Sequence, residues 1–148
     1  TYTLNCNASN QADNITGTST DSGLFDGPRF SATNTGSASF KVAGLTQSAT
    51  AYAINGEYKR TGTFTSKVEN KNTSNTTTVV KVTNLLINKS KKTITSGTAT
   101  ITITGNTTRR GTIDFTADLT FTDSGKAAFT INGIKYVVDL LTGEVSKA

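Results

Sequence analysis

Ile113-Asp114-Phe115-Thr116-Ala117-Asp118-Leu119-Thr120-Phe121 is the stretch on which the fold turns. Apolar side chains occupy every second position and polar ones the positions between. Successive side chains of a strand point to opposite faces, so this segment is a strand with one apolar and one polar face. The same alternation recurs on both sides of it. Ala99, Ile101 and Ile103 alternate with Thr98, Thr100, Thr102 and Thr104. Tyr2, Leu4 and Cys6, then Phe40 and Val42, then Tyr58 and Phe64 continue it towards the N-terminus. Val79–Ile87 is partly apolar on both faces, which suits a central or sheet-switching strand. No segment of comparable length has helical spacing.

Composition points the same way. Hydrophobic residues are 34% of the chain, and threonine fills about one position in five. Threonine is β-branched and sits well on a pleated strand. The 148 residues are the length of one domain. The expected architecture is all-β: an antiparallel β-sandwich or an up-and-down, barrel-like sheet of about eight to ten strands. It forms a single domain over residues 1–148, with a loose mid-chain connection near 69–75 dividing two sheet layers.

Turn chemistry is expected at Asn55-Gly56, Asn88-Lys89-Ser90-Lys91, Gly105-Asn106, Asp123-Ser124-Gly125 and Asn132-Gly133. A two-residue loop at 132–133 sets Ile131 opposite Ile134, Phe129 opposite Tyr136 and Ala127 opposite Val138. All three pairs are apolar, so Phe129 and Tyr136 are expected to be a buried aromatic pair. The same test at 55–56 gives mismatched pairs unless the turn carries an extra residue, so a bulged loop is expected there. Asn7–Ser22 lacks alternation and reads as loop with one short edge strand near Ile15–Thr18. Gly23–Phe30 also has loop chemistry. Ala51–Gly56 echoes Ala128–Gly133, and Gly36–Leu45 echoes Gly125–Ile134, as strand-turn-strand units of similar composition do.

The residue types present exclude most site chemistries. With no histidine there is no Ser-His-Asp or Cys-His arrangement. With Cys6 as the one cysteine, the usual zinc, copper and iron ligand sets are missing too. Asp114 and Asp118 share a strand face but stand roughly 13 Å apart, too far for a glycosidase pair. Asp21 and Asp26 are spaced as loose calcium ligands, without the alternating oxygen donors of an EF-hand loop. Cys6 reads as a small apolar residue on the buried face of the first strand. The leucine and asparagine before it do not fit a lipidated cysteine. Asn-x-Ser/Thr occurs at Asn7, Asn14, Asn72, Asn75, Asn88 and Asn106, as the composition supplies by chance. The Thr98–Thr104 ladder would make an ordered hydroxyl array only with matching ladders beside it, and Thr61-Thr63-Thr65 is a partial second one. No catalytic residue, cofactor or metal is assigned, and the expectation is a protein that is not an enzyme.

The net charge of +5 is scattered. Lys89, Lys91 and Lys92, and Arg109 with Arg110, read as solvated hairpin turns. No basic helix or interleaved aromatic patch accompanies them, so nucleic acid is not an expected partner. No run is long and apolar enough for a membrane helix. Thr1-Tyr2-Thr3-Leu4 is not the start of a signal peptide, and the chain reads as a mature or trimmed form.

Gly125–Val145, with Phe129-Thr130-Ile131-Asn132-Gly133-Ile134-Lys135-Tyr136 at its centre, resembles the last hairpin of exported lipoproteins from Bacteroidetes-type bacteria. The segment from Tyr52-Ala53-Ile54-Asn55-Gly56 to Lys67 is similar to their earlier strands. The resemblance covers about half the chain and implies an extracellular or cell-envelope location. It brings no activity and no functional residues. The expected role is a non-catalytic extracellular or envelope binding or structural module, with a glycan or another envelope protein as partner. The alternatives are a carbohydrate-binding module that stacks Tyr rings on sugars, and a β-barrel carrier of a small apolar ligand.

Overall fold

A computed structural model describes residues 1–68, 71–131 and 133–148. It is helix-free among these residues and contains ten strands: β1 (Tyr2–Cys6), β2 (Ala12–Asp26), β3 (Phe30–Ala43), β4 (Ala51–Ser66), β5 (Thr73–Asn88), β6 (Ile94–Thr107), β7 (Gly111–Phe121), β8 (Lys126–Ile131), β9 (Ile134–Asp139) and β10 (Val145–Lys147). They pair antiparallel in chain order as one sheet, β1 to β10. Of the two expected architectures the chain takes the up-and-down sheet, leaves it open and builds no second layer.

Size makes the point quantitatively. A compact monomer of this 15.5 kDa mass exposes roughly 7,200 Å². This chain exposes 10,013 Å². Among the described residues only Ala99, Ala117 and Ala127 are buried apolar side chains, at 7%, 5% and 0% exposure. Each is enclosed sideways by larger neighbours within the layer: Ala99 lies between Val82 and Leu119, and Ala127 between Phe121 and Val138.

The register of the closing hairpin is as expected. Ile131 pairs with Ile134, Phe129 with Tyr136 and Ala127 with Val138. Gly133 takes the left-handed conformation (φ 78°) that the turn requires, while Asn132 lies outside the described residues. Phe129 and Tyr136 stack with centroids 5.2 Å apart. They are half-buried instead of buried, because nothing lies over them. Turns also fall where expected after Asn88, whose Oδ1 accepts from the Ser90 and Lys91 amides, and at Gly125 (φ 71°). The Lys89 cluster and the Arg109–Arg110 pair sit in or beside these solvated hairpin turns, between β5 and β6 and between β6 and β7. Among these, Lys89 Nζ donates to the Thr46 carbonyl and lies 4.9 Å from the Tyr52 ring centroid.

Elsewhere the structure corrects the sequence reading. Most of Asn7–Ser22 is strand, since β2 starts at Ala12 and continues to Asp26. Gly23–Phe30 narrows to a turn at 27–29. Both faces of β2 are solvated over much of its length, so no alternation marks it. Threonine propensity and the ladders to β1 and β3 are enough to hold it extended. Gly105-Asn106 lies inside β6, with the turn just after it. The connection near 69–75 joins neighbouring strands of one sheet, and Thr73–Asn75 already belong to β5; Glu69 and Asn70 lie outside the described residues.

Asn55-Gly56 is not a turn but the interior of β4. Gly56 lies between Phe40 of β3 and Val82 of β5. A Cβ there would stand 2.9 Å from the Ser39 carbonyl oxygen and 3.2 Å from Phe40 Cβ. The expected bulged loop is therefore absent; the irregularity here is an extra residue on the facing strand, where Asn84 in β5 has φ 48° and its amide donates to Asn55 Oδ1 at 2.9 Å. The echo between Ala51–Gly56 and Ala128–Gly133 therefore joins a strand interior to a hairpin. Cys6, on an edge strand with no second layer, is exposed.

Candidate functional site

Residues opposite each other in an antiparallel ladder share a face, so the register sorts every strand residue. One face carries the row Tyr58–Val80–Ile101–Ala117 across β4 to β7. Beside it runs Val82–Ala99–Leu119–Phe129–Tyr136 across β5 to β9. Among paired residues this face holds three charges, Asp21, Arg60 and Lys147. The opposite face carries Asp26, Lys41, Glu57, Lys59, Lys81, Asp114, Asp118, Lys126, Lys135 and Asp139. The sheet is thus amphipathic, with its apolar face open.

Towards β2, β3 and the adjoining half of β4 the apolar face changes character. Strand glycines replace large side chains, and a neighbour folds across several of them. The Phe40 ring occupies the space a Gly17 Cβ would need. Asn34 does the same over Gly23, and the Asp21 carboxylate over Gly36. Shallow depressions remain where a glycine is less covered. One of about 490 Å³ is centred on Gly56, between Phe40 and Val82. Another, of about 210 Å³, lies around Gly62 and is bordered by Asn34, Arg60, Phe64, Thr76 and Thr78. Both are open to solvent.

Phe64 also belongs to an exposed aromatic cluster. Its ring centroid is 5.3 Å from that of Phe30, which is 4.7 Å from that of Phe25. The three rings are 38%, 37% and 51% exposed. Sequence reasoning missed this cluster. Its signal was the symmetric placement of Phe25 and Phe30 around Gly27-Pro28, which a tight β2–β3 turn brings together.

The polar face gathers hydroxyls more extensively than the sequence implied. Thr35, Thr61, Thr77 and Thr104 form one row across β3 to β6, flanked by Ser22. Thr33 and Thr63 are hydrogen-bonded at 2.6 Å, Thr61 and Thr77 at 3.3 Å. Two ladders visible in the sequence, at Thr61–Thr65 and Thr98–Thr104, are therefore linked through β5. Lys59 and Val79 interrupt the next row, Ser37–Lys59–Val79–Thr102.

The carboxylates weighed from the sequence do not converge. Asp114 and Asp118 are exposed on the polar face, and Asp118 accepts a hydrogen bond from Thr100. Asp21 and Asp26 lie on opposite faces; Asp26 forms an exposed ion pair with Lys67. Asp139 has a distinct environment. Its Oδ1 accepts the Leu141 and Thr142 amides at 2.9 and 3.0 Å, in the turn between β9 and β10. The backbone donor of Thr142, then that of Leu141, holds its pKa below the ordinary carboxylate value. This stabilises a turn and presents no reactive group to a cleft. Among the described residues no helix is long and apolar enough to cross a membrane. Compared with family models, with curated proteins and with solved structures, the chain gives no match.

Proposed function

We propose that the chain is a non-catalytic binding or structural module of an extracellular or cell-envelope protein, working through broad sheet surfaces. The observation that carries this reading is the open single layer, which exposes 10,013 Å² and offers two shallow, differently patterned faces. Catalytic and small-ligand sites are concave and exclude water, and a layer open on both sides suits contact over area instead. The extracellular or envelope setting is supported by the Thr/Ser/Asn/Gly-rich strands and by the hairpin resemblance. Fractionation of the source cells tests it: the protein is expected outside the cytoplasm, and a purely cytosolic pool would refute the location.

A carbohydrate-binding role is the second reading, favoured by the exposed Phe25, Phe30 and Phe64 rings beside Arg60, Asn34 and Thr76. Aromatic faces offer apolar area to a sugar ring, while the amide, guanidinium and hydroxyls supply hydrogen bonds. Glycan-array binding that Phe64→Ala abolishes would establish this role. Binding unchanged by that substitution would remove the cluster from it.

A further inference from the structure

We infer that the apolar face is covered by a second copy of this chain, the two sheets packing face to face as a twofold sandwich. It goes beyond the first reading of the function; Phe25, Phe30 and Phe64 lie on this same face, so a glycan on them would compete with the second copy. The chain exposes about 2,800 Å² more than a compact monomer of its mass. If each copy withdrew half of that excess, the interface would total about 2,800 Å², inside the range of obligate homodimers.

Charge is segregated between the two faces. Paired positions place ten charges on the polar face and three on the apolar face. Depletion of charge at the centre is what separates an interface core from ordinary surface. A layer meant to meet water on both sides has no reason to segregate its lysines and aspartates so completely. The chain carries +5, so a partner of opposite charge would be expected to use the lysine-bearing face, not this one.

Among the described residues each connection is a short turn between adjacent strands, the longest being Gly44–Thr50. None crosses the face. Sheets bury apolar faces against other sheets about 10 Å away, with inward side chains interdigitating. A second copy presents the same alternation of large rows and glycine depressions, notably the one at Gly56 between Phe40 and Val82. A twofold interface uses the same patch from both partners.

Sedimentation velocity at micromolar concentration tests the inference directly, with no substitution needed. The expected species has twice the 15.5 kDa chain mass. Ile101→Lys, in the middle of the apolar face, is expected to give a monomer. Thr102→Lys, one residue on and on the opposite face, is expected to leave the dimer intact. Circular dichroism verifies that both variants keep their strands. A wild-type monomer would overturn the inference. So would assembly insensitive to Ile101→Lys, which would indicate pairing through the β1 or β10 edge, or a monomer that instead binds phosphatidylcholine vesicles.

Discussion

The β6–β9 half of the sheet and the β2–β4 half reach the same hydrogen-bonded layer by different means. In β6–β9 large branched and aromatic side chains alternate with threonines, and all three buried alanines lie in this half. In β2–β4 no side chain is buried, and order comes from glycines with a neighbour laid across them: Phe40 on Gly17, Asn34 on Gly23, Asp21 on Gly36. The first device stabilises by removing apolar area from water. The second lets a side chain lie flat on the sheet, covering backbone that glycine leaves exposed, as aromatic cover of strand glycines does in designed sheets. A strand therefore need not alternate to be a strand, provided both its ladders are made.

The largest expected effect tests whether the β5–β6 bulge is as tightly specified as its backbone implies. Gly97 has φ 132°, and a Cβ would lie 2.6 Å from Leu85 Cα and 2.8 Å from the Asn84 carbonyl oxygen. Gly97→Ala should cost about 3 kcal/mol, since backbone must move and the conformation is strained. Urea unfolding measures it, and a loss under about 0.5 kcal/mol would show the bulge is plastic.

The apolar half is sharpened by Phe129→Ala. A fully buried phenylalanine would cost about 3–5 kcal/mol, and the half-buried ring stacked on Tyr136 should cost about 2 kcal/mol in the monomer. A larger loss under conditions where the chain is dimeric would show that the partner completes the burial.

The glycine half is tested by a double-mutant cycle. Gly17→Ala alone should destabilise by about 1 kcal/mol by displacing the Phe40 ring. In a Phe40→Ala background the same change should be neutral or slightly stabilising, because the ring is gone and alanine restricts the unfolded chain. Additive effects would mean that the ring does not depend on the glycine.

The smallest effect concerns the far end of the apolar half, where Asp139 closes the last turn. Its folded pKa lies below the unfolded value near 3.8, so its contribution is present above that value. It is lost as pH falls through the lower, folded value. The melting-temperature gap between wild type and Asp139→Ala should therefore close as pH is lowered below 3.8. A gap unchanged at the lowest pH would rule out the carboxylate as its source.

The β6–β9 half was legible because its alternation and turn residues agree. Pairing Phe129 with Tyr136 followed from the length of one loop. Gly56 was misread because glycine marks both a turn and a close approach inside a strand. Only its neighbours Phe40 and Val82, distant in sequence, distinguish the two. The Phe25–Phe30–Phe64 cluster was illegible for a similar reason: Phe64 reaches it through the β3–β4 register, which no local pattern specifies.

The sequence by itself determined that the chain is all-β, that its sheet is antiparallel, and which face each residue of β7 to β9 occupies. Only the tertiary structure decided that the ten strands form one open layer. The physical reason lies in what period-two alternation encodes. It assigns a side chain to a face, but the backbone ladder is satisfied equally whether that face is covered or bare. Cys6 and Phe129 were assigned to the apolar side of their strands, yet neither is buried, because burial depends on a second layer that this sheet does not build.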